Sequence, residues 1–107
     1  MNWLSLILMS VVVFVTGSAA ADGDIAAGKK KSSACAACHD KAGMGTMPNF
    51  PNLAGQKALY LTEQLTAFRE GARSNENMGI VVKALSDQDI EDLAAYYESL
   101  KPGCPDQ

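Results

Sequence analysis

The pentapeptide Cys35-Ala36-Ala37-Cys38-His39 restricts this chain more than any other stretch. Two thiols separated by two residues, with an imidazole directly after the second, is the spacing of covalent haem attachment. At a helix end, each thiol can add to one vinyl group on the same porphyrin edge, and the adjacent imidazole then lies beneath the iron. Two other uses of Cys-x-x-Cys compete with this one. A dithiol redox pair belongs after a strand in a βαβ setting, whereas here a helical stretch precedes the motif and no run alternates as a strand does. A structural zinc site needs four ligands, and the chain has a single His and only Cys104 to add.

The size of the chain favours a bound group. Its opening stretch, MNWLSLILMSVVVFVTGSAAA, has no Asp, Glu, Lys or Arg, an apolar run from Trp3 to Val15, and a small-residue end at Ala19-Ala20-Ala21. It reads as a secretory signal over 1–21, cleaved after Ala21, leaving a domain over 22–107. The apolar run is shorter than the about 20 residues a membrane-spanning helix needs. The n-region lacks Lys and Arg, so an uncleaved anchor stays open, and no Cys follows Ala21 to carry a lipid. Trp3 falls in this segment and is set aside. The remainder is too short for its own side chains to build more than a marginal core. Small scaffolds complete their interior with disulfides, metals or cofactors, and three cysteines cannot all pair within one chain. Export also argues against a free dithiol, which would oxidise outside the cytoplasm. A formal net charge of −3 offers no basic field for nucleic acid, so the partners expected are proteins.

Residues from Asp24 to about Ala34 suit one short amphipathic helix with an acidic start. Asp40 to Gly55 is crowded with Gly, Pro and Asn and should be an irregular loop. Lys57 to Glu70 places Leu61, Leu65 and Phe68 on one helical face, with Gly71 as the stop. Gly71 to Lys83 opens polar and turns apolar at Ile80-Val81-Val82, so it should begin as a loop and then turn helical. Ser86-Asp87-Gln88-Asp89 reads as a capping box opening a helix with Ile90, Leu93, Ala94, Tyr97 and Leu100 on one face, ended by Pro102 and Gly103. The fold expected is all-α.

With these residues in view, the chain resembles the class I c-type cytochromes, the short bacterial monohaem type and one half of the dihaem cytochromes. The likeness runs from Asp24 to Leu100 and is carried by Cys35-Ala36-Ala37-Cys38-His39, by Pro51-Asn52-Leu53-Ala54-Gly55-Gln56, by YLTEQLTAFR over 60–69 and by LSDQDIEDLAAYYESL over 85–100. The resemblance implies about four helices wrapped around one covalent haem c, tethered at Cys35 and Cys38. His39 would be the proximal iron ligand and Met78 the distal one. It implies that the Pro51 carbonyl accepts a hydrogen bond from His39 Nδ1, which strengthens the imidazole as a ligand. It also implies that Gly28 on the first helix crosses Tyr96 on the last, a bare backbone letting two helices touch. Met44 and Met47 sit too soon after His39 to reach the opposite face of the iron and read as wall or loop packing.

The activity implied is single-electron transport without catalysis, in the periplasm, between redox proteins such as a membrane cytochrome complex, a terminal oxidase or a periplasmic reductase or dehydrogenase. No small-molecule substrate and no nucleic acid is expected. A thioether ligand raises the reduction potential and fills the position oxygen would take. Two alternatives stay open on the sequence: a haem c subunit or gas-binding sensor in which Met78 is labile, and a thiol-disulfide oxidoreductase. Lys29-Lys30-Lys31 reads equally as a docking patch or a solvated helix face. Cys104 is an addition to the family pattern, and Asn75-Glu76-Asn77-Met78-Gly79 is more polar than many family loops.

Overall fold

The computed structural model describes residues 11–13 and 23–103. The signal expected over 1–21 falls almost wholly, and Cys104 entirely, outside the described residues. Within these residues the chain folds into five helices: α1 (Ile25–Lys31), α2 (Ser33–His39), α3 (Ala58–Glu70), α4 (Glu76–Val81) and α5 (Asp87–Ser99). No strand occurs among the described residues, and no helix there is long and apolar enough to cross a membrane.

The single first helix expected from the sequence is two. Asp24 caps α1 through its carboxylate, which accepts from the Ala27 amide at 2.9 Å. Ser32 then turns its hydroxyl onto the Lys29 carbonyl at 2.7 Å. A serine bonding back to the preceding turn competes with the helical ladder. The axis breaks there, and α2 carries the whole Cys-x-x-Cys-His segment in one short helix.

The last helix follows its local signals closely. Ser86 Oγ accepts from the Asp89 amide and the Asp89 carboxylate accepts from the Ser86 amide, both at 3.0 Å, which closes the capping box. Ile90, Leu93, Ala94 and Tyr97 are buried on its inner side. Leu61 of α3 joins Leu93, Ala94 and both tyrosines in the core, with Cys35, Leu53 and Leu65 packed against it. Helix α3 ends at Gly71, whose φ of 80° is the left-handed turn a glycine supplies without strain.

Helices α1 and α5 cross in direct backbone contact. A Cβ on Gly28 would collide with the Asp92 carbonyl oxygen and lie 2.7 Å from Tyr96 Cβ. An ionic clamp locks the crossing. Asp92, 3% exposed, accepts from the Asp24 amide and the Gln88 side chain at 2.8 Å each and meets Lys31 Nζ at 2.5 Å. Lys31 also reaches Asp89 at 2.7 Å. One lysine of the 29–31 run, half-buried, is thus tied to two carboxylates of α5.

The Asp24 amide first, then Lys31 and Gln88, hold the Asp92 carboxyl down at about 2 against the opposing effect of burial. An unfolded Asp titrates near 3.9, so between these values the unfolded chain binds more protons than the folded one. The stabilisation is therefore complete above about pH 4 and lost as pH falls toward 2. Asp92→Ala should destabilise the protein near neutral pH by roughly the 1–3 kcal/mol of a buried donor left without its acceptor, read as a lower urea-unfolding midpoint. The deficit should shrink when the titration is repeated near pH 2. A deficit that stays constant across that range would show that the clamp contributes nothing through charge.

The 40–57 segment is irregular, as its breakers require, yet well tied. The Gly43 carbonyl accepts from Leu53 and Ala54 at 2.7 and 3.0 Å, Asn52 Oδ1 accepts from the Gly45 amide at 2.7 Å, and Gly55 donates to the Tyr97 carbonyl at 2.9 Å. This ties the far end of the loop to α5 and carries Pro51 back toward His39.

Candidate functional site

Helices α2 to α5 and the 49–56 stretch enclose a cleft of about 320 Å³, large enough for an organic ligand. Cys35, Cys38 and His39 line it from α2, and Met78 lines it from α4. On a helix, positions three and four apart share a face. The two thiols and the imidazole are therefore presented together. Both cysteines are half-buried free thiols, and burial pushes the Cys35 thiol up.

His39 is buried, and its Nδ1 lies 2.7 Å from the Pro51 carbonyl oxygen. A carbonyl can only accept, so Nδ1 carries the proton and donates it. In the neutral ring that tautomer leaves the Nε2 lone pair free, the form in which imidazole binds a metal. Two features hold the end of α2 in place. Thr46 donates to the Cys38 carbonyl through both its amide and its hydroxyl at 3.0 Å. Asp40, directly after His39, adopts φ 60° and ψ 162°, a conformation almost confined to glycine. The chain reverses there at once, which lets residues 45–52 return along the imidazole.

Met78 owes its place to the polar segment around it. Asn75 Oδ1 accepts from the amides of Asn77 and Met78 at 3.0 Å each, so Asn75 is the N-cap of α4. The polarity that sets this stretch apart in the sequence is the chemistry of a helix start. Met44 and Met47 do not line the cleft, and Met47 is 56% exposed. Behind Met78, Val82 is fully buried while Ile80 is 75% exposed, so the apolar run at the end of α4 is divided between core and surface.

Leu61, Leu65, Phe68, Val81 and Leu93 make much of the remaining wall apolar, the amides Asn49, Asn52, Gln56, Gln64, Asn75 and Asn77 also line it, and it includes no Asp or Glu. Its one Lys or Arg is Arg73, whose guanidinium stacks 4.5 Å from the Phe68 ring centroid and donates to Gln64 Oε1 at 2.7 Å. A flat apolar ligand bearing carboxylates matches such a surface. A second hollow of about 500 Å³, over residues 45–52, is open to solvent and holds no Cys or His. Arg73 and the Tyr97 hydroxyl were not legible in the sequence as parts of the site. Arg73 follows a helix-ending glycine, where a cation usually means solvent, and Tyr97 falls on an apolar face, where its ring alone accounts for it.

Comparison with known proteins agrees with this geometry. The chain is 43% identical over 96 residues to cytochrome c4 of Pseudomonas aeruginosa, a match covering 90% of this chain and 48% of that protein. It is 46% identical over 80 residues to cytochrome c-554(548) of Halomonas halodenitrificans, covering 72% of this chain and 96% of that one. The crystal structure of reduced recombinant cytochrome c4 from Pseudomonas stutzeri superposes with a TM-score of 0.71 at 42% identity, covering 74% of this chain and 46% of that one. The chain thus spans about half the length of the cytochromes c4 it matches. The family model for cytochrome c matches residues 25–101. Its span opens on the first residue of α1 and closes just past α5, taking in every helix described and the whole cleft, and the chain belongs to the cytochrome c family.

Proposed function

We propose that this cytochrome c carries single electrons between redox proteins, using one haem c tethered to Cys35 and Cys38, with His39 and Met78 as the axial ligands of its iron. The observation that carries this reading is the membership of one cleft: both thiols, the imidazole and a single thioether line the same apolar wall. Haem, when bound, supplies an iron that changes oxidation state by one electron. The residues do the rest. Pro51 fixes the His39 tautomer and raises its donor strength. Met78, a soft neutral donor, favours the ferrous state, and the apolar wall disfavours the extra charge of the ferric one. Arg73, the one Lys or Arg lining the cleft, would complement the carboxylates of the haem. No acid, base or nucleophile beyond these groups is needed, since electron transfer breaks no bond of a substrate.

Residues 1–21 are proposed as the export signal that delivers the 22–107 domain to the periplasm, where redox proteins would be its donor and acceptor. The test is covalent attachment. The full chain, expressed in a bacterium that matures c-type cytochromes, should give a haem-staining band under denaturing conditions. The haem should resist acid-acetone extraction and remain on the peptide holding Cys35 to His39. The double variant Cys35→Ser and Cys38→Ser should leave that band unstained. A stably folded, colourless wild-type protein with both thiols free would overturn the proposal.

A further inference from the structure

Tyr97 presents a feature that packing does not account for. It is 3% exposed, and its hydroxyl is the one buried side-chain polar atom among the described residues without a hydrogen-bond partner. Its carbonyl accepts from Gly55 at 2.9 Å and Leu100 at 3.2 Å, which holds the backbone, and burial of the ring leaves the side chain little room to swing. The ring lines the cleft and packs with Leu61, Leu93 and Cys35. Cys35 and Ser32 are the polar groups the hydroxyl faces, and Ser32 has already given its own proton to Lys29. A phenylalanine would fill the same space without burying an unpaired hydroxyl, which is costly in a core.

We infer that in the haem-loaded protein the Tyr97 hydroxyl donates a hydrogen bond to the sulfur of Cys35, and that Tyr97 thereby sets the reduction potential. The inference rests on Cys35 being a thioether, as proposed above. A thiol both donates and accepts weakly, but a thioether sulfur has lost its hydrogen and can only accept. The phenol is then the required donor. A donated O–H would point its positive end at the Cys35 sulfur, through which the haem would be tethered. In an apolar wall such a dipole is poorly screened. It opposes the additional positive charge of the oxidised state and so raises the potential, as hydrogen bonds around a redox centre do.

The test is Tyr97→Phe in the holoprotein, which keeps the ring and removes only the hydroxyl. The midpoint potential should fall relative to the parent, and the denaturant midpoint should not rise. In the parent, the Tyr97 hydroxyl proton should exchange slowly with solvent and show a through-space NMR contact to the Cys35 β-protons. A haem-bearing Tyr97→Phe protein with unchanged potential and a higher denaturant midpoint would overturn the inference, because it would mark the hydroxyl as unpaired in the loaded state too. A fall in potential reproduced in full by Ser32→Ala would assign the bond to Ser32 and equally overturn it. Absence of covalent haem from the parent is a separate result, which counts against the proposed function itself.

Discussion

Met78→Ala protein is expected to take up haem covalently, yet to lose the weak near-infrared sulfur-to-iron charge-transfer band of the oxidised parent. Attachment should survive because the thiols and the imidazole come from α2, whereas Met78 is held in α4 by the Asn75 cap. No other sulfur lining the cleft can take its place. Neither Met44 nor Met47 lines it, and Cys35 and Cys38 are consumed by attachment in the proposed state. The midpoint potential should drop by some tenths of a volt, a fraction of the about 0.8 V range that axial ligands span. The opened position should also bind small ligands such as carbon monoxide that the parent excludes. The near-infrared spectrum of the oxidised variant decides the matter: persistence of the band would show that Met78 is not the distal ligand.

The largest effect on folding is expected from Gly28→Val. At this position α1 and α5 touch through their backbones, and a Cβ meets the Asp92 carbonyl group and Tyr96 Cβ. Backbone cannot swing aside as the tip of a flexible side chain can. Relief requires α5 to retreat, which also pulls on Asp92 and on Leu93 and Tyr97 in the cleft wall. Overpacking of this kind costs about 1–3 kcal/mol and sometimes more, and a β-branched residue against backbone belongs at the upper end. Each kcal/mol is worth roughly 4–8 °C in a domain of this size. Gly79→Ala provides the contrast. It lies inside α4 with nothing within 4 Å of an added Cβ, so alanine there should be neutral or stabilising by up to about 1 kcal/mol. Thermal unfolding of the two variants separates a packing requirement from a general intolerance of substitution. Equal melting temperatures would remove the crossing from the account of this fold.

Features written in adjacent residues were legible in the sequence. The capping box at Ser86, the left-handed stop at Gly71 and the apolar spacing of α3 are contacts within about one helical turn, so their residues suffice to specify them. The Cys-x-x-Cys-His segment is equally local. The break at Ser32 was not legible, because a serine within a helical run can face solvent or its own backbone, and spacing does not say which. Lys31 was ambiguous for a different reason. Its partner Asp92 stands 61 residues away, and only the crossing of α1 and α5 brings the two charges together.

The two tyrosines of α5 divide what each level of description contributes. As residues they are alike, and their neighbourhood announces a buried helix face. One step along a helix turns a side chain by about 100°, since 3.6 residues complete a turn. That rotation sets Tyr96 against Gly28 and Tyr97 into the cleft beside Cys35. The amino-acid order alone determined the all-helical class, the attachment motif, the stop of α3 and the start of α5, because these depend on short-range geometry. Tertiary packing alone decided which lysine is tied across the helix crossing and which hydroxyl is left facing a cysteine, because each depends on segments distant in the chain meeting at one place.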